Sequence, residues 1–177
     1  MPRKEIKRRT EELLEFCDLI KFRKRTVRKL SGGMKRKLMV CRALLTDPEI
    51  LLLDEPTAGM DALSRRQMWN LLRKLNGKNL TILLTTHYME EAQNLCSRVA
   101  LMDHGKLEEV NTPAGLIDSL GNYTVDEFAG DETHSHYFHS REEAIAYLSG
   151  LSGQASLRET TLEDVFVERA GRHLMPS

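Results

Sequence analysis

The chain has 177 residues, 26 basic and 26 acidic side chains, 41% apolar residues and three cysteines. This length and apolar content suffice for a globular core, and they exclude a disordered, collagen-like or disulfide-framework protein. No apolar run is long enough to span a membrane, and the basic opening lacks the apolar stretch of a signal peptide. The odd cysteine count, without a CxxC motif, predicts reduced, mostly buried thiols in a cytosolic protein at Cys17, Cys41 and Cys96.

Charge is divided unevenly along the chain. Residues 1–45 contain 15 Lys and Arg against 5 Asp and Glu, whereas residues 46–177 contain 11 against 21. Such an asymmetry often indicates nucleic acid or a membrane surface as a partner.

The basic part of the chain predicts two helices separated by a loop. Leu13 and Ile20 belong to one apolar helix face, and a second helix runs roughly from Met34 to Leu45, where Asp47-Pro48 stops it. The stretch Lys21–Lys29 between them is too basic and unpatterned for a core element, so we interpret it as a loop.

The next part of the chain predicts alternating strands and helices. The strands fall at Ile50–Leu53, Leu80–Thr85 and Val99–Met102, the helices at Ser64–Leu75 and Met89–Leu95, and a hairpin turn at Asp103–Lys106. The first two strands lack alternation, which is typical of strands buried on both faces of a parallel sheet. This order indicates βαβ units and an α/β fold.

The C-terminal part predicts a small α+β appendage. A short strand candidate precedes a helix at Glu142–Leu148, and a last helix follows Thr160 and Thr161, with Glu163 and Asp164 behind them in a capping-box arrangement. We expect Phe166 to be the buried anchor of that helix and Gly171 its C-terminal cap.

Three histidines in this appendage are a candidate metal site. His134, His136 and His139 are close in sequence, and His134 and His136 share one face of a strand. Short histidine tracts on polar segments are usually solvated, which is the alternative interpretation.

Three sequence features carry candidate chemistry. Asp54 and Glu55 end a buried strand, where a carboxylate can hold a nucleotide's Mg²⁺ and a second one can orient an attacking water. Leu30-Ser31-Gly32-Gly33 opens a helix whose N–H groups could approach an anion, and His87 follows the second strand, where it could donate to a phosphate oxygen. Taken singly, each is better explained as an ordinary capped helix or strand end.

In this order, the three features resemble the nucleotide-binding subunit of ATP-binding-cassette (ABC) transporters. Leu30–Met34 is similar to the signature motif, Ile50–Glu55 to Walker B with Glu55 at the catalytic position, Ala58–Asp61 to the D-loop, and His87 to the switch histidine. The variants LSGGM, TAGMD and TTHYMEEA and the tail TTLEDVFVERAGR resemble the ABC-2 exporter group.

The resemblance, which runs from about Lys4 to Gly121, implies a domain organisation. Residues 1–45 would be part of a helical subdomain with the signature motif, residues 46–121 the C-terminal half of the ATPase core, and residues 122–177 a C-terminal α+β extension. The implied fold is a partial P-loop NTPase-like parallel sheet with helices.

One departure from the family pattern is large. No GxxxxGK[ST] occurs in the 177 residues, and the glutamine loop and adenine-stacking aromatic are also missing. Against the family pattern the sequence looks N-terminally truncated. We therefore expect the chain alone to bind ATP weakly and to hydrolyse it negligibly, and its uncovered sheet to favour oligomers or aggregates.

The resemblance also implies roles, cofactors and partners. Within the family, two subunits hold two ATP molecules head to tail. The segment Ser31–Gly33 would bind the γ-phosphate of a nucleotide held by the second subunit, and Asp61 would run along the dimer interface. Asp54 would hold Mg²⁺ through water and Glu55 would activate the hydrolytic water. His87 would contact the γ-phosphate. The protein would be a cytoplasmic ATPase subunit, peripheral at the inner or plasma membrane, with a membrane-spanning permease as partner.

Two alternatives remain open. The first is a nucleic-acid-linked ABC-type ATPase, and the second is a catalytically dead regulatory fragment. Against the first, the basic loop has a single aromatic residue, Phe22, which is poor for base stacking, so no nucleic-acid partner is expected.

Overall fold

The computed structural model of the chain describes residues 3–77 and 80–174, so that Met1 and Pro2 of the basic opening lie outside it. The chain divides into two compact units, the first ending at His87 and the second beginning at Tyr88. This division follows compactness, and the functional boundaries after residues 45 and 121 stay a prediction. Among the described residues, no helix is long and apolar enough to cross a lipid bilayer.

The first unit contains helices and a two-stranded sheet. Its elements are α1 (Arg3–Phe16), α2 (Gly32–Ala43), β1 (Ile50–Asp54), α3 (Ala62–Asn76) and β2 (Thr81–Thr85), with 3-10 turns at Ile20–Phe22, Val27–Lys29 and Leu44–Thr46. β1 precedes α3 in the chain and β2 follows it, and the two strands pair in parallel. This arrangement confirms the predicted βαβ unit.

The sheet of the first unit is covered on one face only. Leu51 of β1 is 4% exposed, whereas Leu52 is 70% and Leu83 of β2 is 63% exposed. The prediction that these strands are buried on both faces is therefore wrong for the described residues. The open apolar face agrees with the expectation of an uncovered sheet.

Side-chain caps set where the helices of the first unit begin. Ser31 Oγ accepts a hydrogen bond from the Met34 backbone N–H at 3.3 Å, so α2 starts at Gly32. Asp61 caps α3, which therefore begins at Ala62 rather than at the predicted Ser64.

The prediction that the cysteines are buried is confirmed for Cys17 and Cys41, which are 1% and 4% exposed, but the prediction that they are reduced is wrong for these two. The structure joins Cys17, just after α1, to Cys41 of α2 as a disulfide, with the two Cα atoms 6.8 Å apart. Only tertiary packing brings these residues together, because they are 24 positions apart. Cys96 is a free thiol, and burial raises its pKa.

Among its described residues, 88–174, the second unit contains two antiparallel sheets and four helices. Its elements are α4 (Met89–Leu95), β3 (Val99–Asp103), β4 (Lys106–Asn111), α5 (Pro113–Leu120), β5 (Tyr123–Ala129), β6 (Glu132–Phe138), α6 (Arg141–Gly150), β7 (Gln154–Glu159) and α7 (Leu162–Leu174). β3 and β4 form the predicted hairpin, and the other three strands form a sheet in the order β6-β5-β7. The predicted α+β character of the C-terminal part is confirmed.

The core of the second unit includes the last helix. Leu162 is 0% and Val165 is 1% exposed, and both pack with Leu116 of α5 and Ala92 of α4. Phe166 is 38% exposed, so it is not the anchor that the sequence predicted. The predicted cap at Gly171 is also wrong, because α7 continues to Leu174.

Arg158 of β7 joins Asp126 of β5 to Asp164 of α7. We call these three residues, together with Thr161 and Ser135, which donate hydrogen bonds to the two aspartates, the Arg158 cluster. Arg158 forms ion pairs with Asp126 and with Asp164, each at 2.7 Å. The Thr161 backbone N–H donates to Asp164 at 2.7 Å, so Asp164 takes the acidic position of the predicted capping box. Burial would raise the pKa of Asp164, but hydrogen bonds from Arg158 and Thr161 outweigh it and hold that pKa below its ordinary value.

The histidines of β6 face carboxylates of the same sheet. His134 Nε2 lies 3.5 Å from Glu132, and His136 Nε2 lies 3.5 Å from Glu127. Among the residues that the structure describes, no group of three or more His, Cys, Asp or Glu side chains could hold a metal ion. The structure therefore gives the histidine metal site no support.

Candidate functional site

The candidate site lies at the carboxyl ends of β1 and β2. Asp54 ends β1 and pairs in register with Thr85, the last residue of β2. The Thr85 hydroxyl donates a hydrogen bond to Asp54 Oδ1. The contact leaves the second carboxylate oxygen of this exposed aspartate available to a ligand.

Glu55 begins a turn directly after β1. Its φ of +47° lies in the left-handed region, which non-glycine residues enter at a cost of roughly 1–3 kcal/mol. The conformation is held on both sides: the Glu55 N–H donates to the Thr85 carbonyl oxygen at 3.0 Å, and the Ala58 N–H donates to the Glu55 carbonyl oxygen at 3.2 Å. Such stored backbone strain is typical of functional sites.

This turn brings the Glu55 side chain against His87. His87 Nδ1 lies 2.9 Å from both carboxylate oxygens of Glu55 and forms a hydrogen bond with Oε1. The Glu55 side chain is 34% exposed and the imidazole 62%. A half-buried carboxylate held in this way can accept a proton from a water molecule in the adjoining space.

A second group of candidate residues surrounds the start of α2. Ser31 and Gly33 line a cavity of about 390 Å³ together with Ser64, Lys37 and Gln67. A Cβ atom at Gly33 would lie 3.0 Å from Ser64 Oγ, so the absence of a side chain lets α2 and α3 approach closely. Nothing lies within 4 Å of a Cβ atom built at Gly32, which leaves the first turn of α2 accessible.

Asp61 controls the position of Ser64. Its carboxylate accepts hydrogen bonds from the Ser64 backbone N–H at 2.9 Å and from the Ser64 hydroxyl at 2.7 Å. The hydrogen bond from the hydroxyl, and to a smaller extent the one from the backbone N–H, lowers the pKa of Asp61. Asp61 therefore stays ionised while Ser64 is held against Gly33.

Lys37 makes a further link between α2 and α3. Its side chain is 8% exposed, and its Nζ donates to Gln67 Oε1 at 3.2 Å. A lysine is seldom buried without such a partner.

The structure thus collects the predicted residues into two groups within the first unit. Asp54, Glu55 and His87 meet at the sheet edge, whereas Ser31, Gly32, Gly33 and Asp61 lie around the facing ends of α2 and α3. Sequence reasoning missed Thr85, Ser64 and Lys37. The parallel register could have indicated Thr85, and the three-residue spacing after Asp61 could have indicated Ser64, but no local signal marks Lys37.

Comparison with known proteins identifies the family. Residues 2–58 match the ABC transporter family. The Nod factor export ATP-binding protein I of Cupriavidus pinatubonensis is 40% identical over 96% of this chain. The chain belongs to the ABC transporter family. A second Nod factor export ATP-binding protein I, from Rhizobium sp. strain N33, is 36% identical over 98% of the chain.

This ABC transporter chain is shorter than the relatives it matches. It spans 58% of the Cupriavidus protein and 64% of the Rhizobium protein. The solved structure of cbiO1 from Clostridium perfringens, described as part of the ABC transporter complex cbiONQ, superposes with a TM-score of 0.62 at 26% identity. That superposition covers 66% of this chain and 47% of cbiO1, and it supports the α/β fold expected of an ABC ATPase domain.

Proposed function

We propose that the chain is part of the ATP-hydrolysing subunit of an ABC-2 type exporter at the cytoplasmic face of a membrane. The observation that carries the proposal is the contact between Glu55 and His87, 2.9 Å apart at the edge of a parallel sheet and next to Asp54. The export role is supported by relatives that are named for Nod factor export.

Glu55 is the general base in this proposal. Its carboxylate accepts a proton from the water that attacks the γ-phosphate, and His87 fixes the orientation of the carboxylate. In the proposal, His87 would also contact the γ-phosphate. Left-handed backbone geometry at Glu55 sets the direction of the side chain before any nucleotide arrives.

Asp54 fits a magnesium ion bound through water. Mg²⁺ prefers oxygen ligands and keeps several waters, so one carboxylate and the phosphates suffice and no cluster of three acidic or imidazole ligands is needed. When bound, the ion would neutralise charge on the phosphates. The Thr85 hydroxyl fixes the Asp54 carboxylate, so that its other oxygen can accept a hydrogen bond from a metal-bound water.

Ser31, Gly32 and Gly33 form the phosphate-binding half of the proposal. The first turn of α2 presents unpaired N–H groups and the positive end of the helix dipole. These groups would bind the γ-phosphate of an ATP held by a second nucleotide-binding subunit in a head-to-tail dimer. Asp61 would lie along the dimer interface, where it positions Ser64 behind Gly33.

The proposed organisation assigns each part of the chain a task. Residues 1–45 carry the signature segment of a helical subdomain, residues 46–121 carry the Walker B and switch residues, and residues 122–177 form the C-terminal extension. A membrane-spanning permease would receive the conformational change that follows ATP hydrolysis.

The proposal is tested by the substitution Glu55→Gln in the assembled exporter. We expect kcat for phosphate release from Mg-ATP to fall roughly a hundredfold or more, because the amide cannot accept the proton from water, while ATP affinity stays close to normal. Glu108→Gln, on the exposed strand β4, is the matched control and should leave the rate unchanged. Equal rates for Glu55→Gln and the unmodified exporter would contradict the role of Glu55 and favour a catalytically inactive subunit.

A further inference from the structure

The segment Lys21–Lys29, called the basic segment below, is a strongly charged surface of the first unit. It contains six Lys and Arg residues and no Asp or Glu. All six cationic side chains are exposed, namely Lys21, Arg23, Lys24, Arg25, Arg28 and Lys29. Apart from the turns Ile20–Phe22 and Val27–Lys29, its backbone is irregular.

Two arginines of the preceding helix differ from these cations in one respect, because carboxylates of the same unit neutralise them. On α1, Arg8 pairs with Glu5 and Glu12 at 2.6 Å, and Arg9 pairs with Asp47 at 2.7 Å. In the basic segment, Arg23 is the single residue with a carboxylate partner among the ion pairs of residues 3–77 and 80–174. The charge of the other five cations is therefore available to a partner outside the unit.

We propose that the basic segment binds the anionic headgroups of a phospholipid membrane. Clusters of four to eight Lys and Arg residues are attracted to anionic lipids by charge density, without fixed geometry. Long cationic side chains on short turns meet that requirement. Val27 is 55% exposed among them and supplies an apolar side chain that can enter the headgroup region.

The same contacts make nucleic acid the weaker partner. Sequence-tolerant binding to single strands relies on aromatic rings that stack on bases. The one aromatic ring of the segment, Phe22, is covered by the Arg25 guanidinium, which lies 5.0 Å from its centre. The segment therefore offers six cations but a single, partly covered aromatic ring.

The inference goes beyond the proposed function, because it concerns a surface outside the nucleotide-binding residues and is tested without ATP. The test is co-sedimentation of the 177-residue chain with vesicles of phosphatidylcholine alone or with 30% phosphatidylglycerol (roughly the anionic fraction that gives a strong surface potential). We expect binding to the anionic vesicles only, and weaker binding in high salt because exposed charges are screened.

A matched pair of variants locates the binding surface. The test variant replaces four cations without a described contact by glutamine, leaving Arg23 and Arg25 in place: Lys21, Lys24, Arg28 and Lys29. The control replaces four exposed cations elsewhere by glutamine, so that the net charge changes equally: Lys74, Arg98, Lys106 and Arg141. At about fivefold per cation, the test variant should lose roughly a hundredfold or more in vesicle partitioning, and the control much less.

Three outcomes would overturn the inference. They are equal partitioning of the two variants, equal binding to neutral and anionic vesicles, and tighter binding of a single-stranded oligonucleotide that is lost in the test variant. The last result would assign the basic segment to nucleic acid. Circular dichroism of both variants shows whether they keep the fold. If the test variant is unstable, the inference is still tested by the unmodified chain and the control variant, both of which should bind anionic but not neutral vesicles.

Discussion

Two groups of carboxylates in this chain have opposite surroundings. In the Arg158 cluster, Asp126 and Asp164 are each 12% exposed and share one arginine. At the end of β1, Asp54 and Glu55 contact a hydroxyl and an imidazole, and no lysine or arginine is paired with them among the described residues. The difference separates carboxylates that hold the fold together from carboxylates that can still take a proton or a cation.

The substitution Arg158→Met should have the largest effect on stability. It leaves two mostly buried carboxylates without a counter-charge, and because Arg158 is itself 38% exposed we expect a loss of about 2 kcal/mol in the free energy of unfolding rather than the larger loss of a fully buried pair. Urea denaturation would measure it, with the exposed Arg98→Met as control.

Adding Asp126→Asn and Asp164→Asn to Arg158→Met sharpens this prediction. The triple variant should recover part of the loss, because no charge is then left buried and unpaired. If Arg158→Met alone is as stable as the unmodified chain, the Arg158 cluster does not hold α7 to the sheet.

Acid should weaken the Arg158 cluster. The pKa of Asp164 lies below its unfolded value of about 3.9, so the stabilisation is present above that pH and is lost as the pH falls through the folded pKa. The free energy of unfolding of the unmodified chain should therefore fall more steeply below about pH 4 than that of Asp164→Asn. Parallel pH profiles for the two proteins would exclude this contribution.

The smallest effect on stability is expected for Glu55→Gln. No lysine or arginine loses its partner, and glutamine keeps the volume and can still hydrogen-bond His87, so the free energy of unfolding should change by less than about 0.5 kcal/mol. Chemical denaturation of the purified chain tests this. A loss as large as that of Arg158→Met would show that Glu55 is a structural residue, and the contrast between the two groups would disappear.

Local signals in the sequence predict much of this fold. Short-range rules place β1, β2 and α4 almost residue by residue, because strand patterning and helix periodicity depend on neighbours in sequence. The cap at Asp61 is also a local feature. The predicted start of α3 misses it because the apolar periodicity of the helix begins a few residues after the cap. The candidate residues Glu55 and His87 follow from their places at the ends of two strands, the motif resemblance supplies their expected roles, and their 2.9 Å contact agrees with those roles.

The sequence-based predictions fail where contacts between residues far apart in the sequence determine the structure. Phe166 and Val165 are adjacent, and only the packing of α7 against Leu116 determines which of them is buried. The pairing of Cys17 with Cys41 and the link between Lys37 and Gln67 likewise depend on helix packing, which no local pattern encodes.

Thr85 couples the positions of Asp54 and Glu55 at the end of β1. Its hydroxyl holds Asp54, and its carbonyl oxygen accepts the hydrogen bond from the Glu55 N–H. A shift of β2 by one residue along β1 would break both contacts simultaneously, since strand register places one residue opposite both. The Asp54 carboxylate and the Glu55 backbone are therefore coupled through one residue, and a force that pulls on the end of β2 is transmitted to both of them.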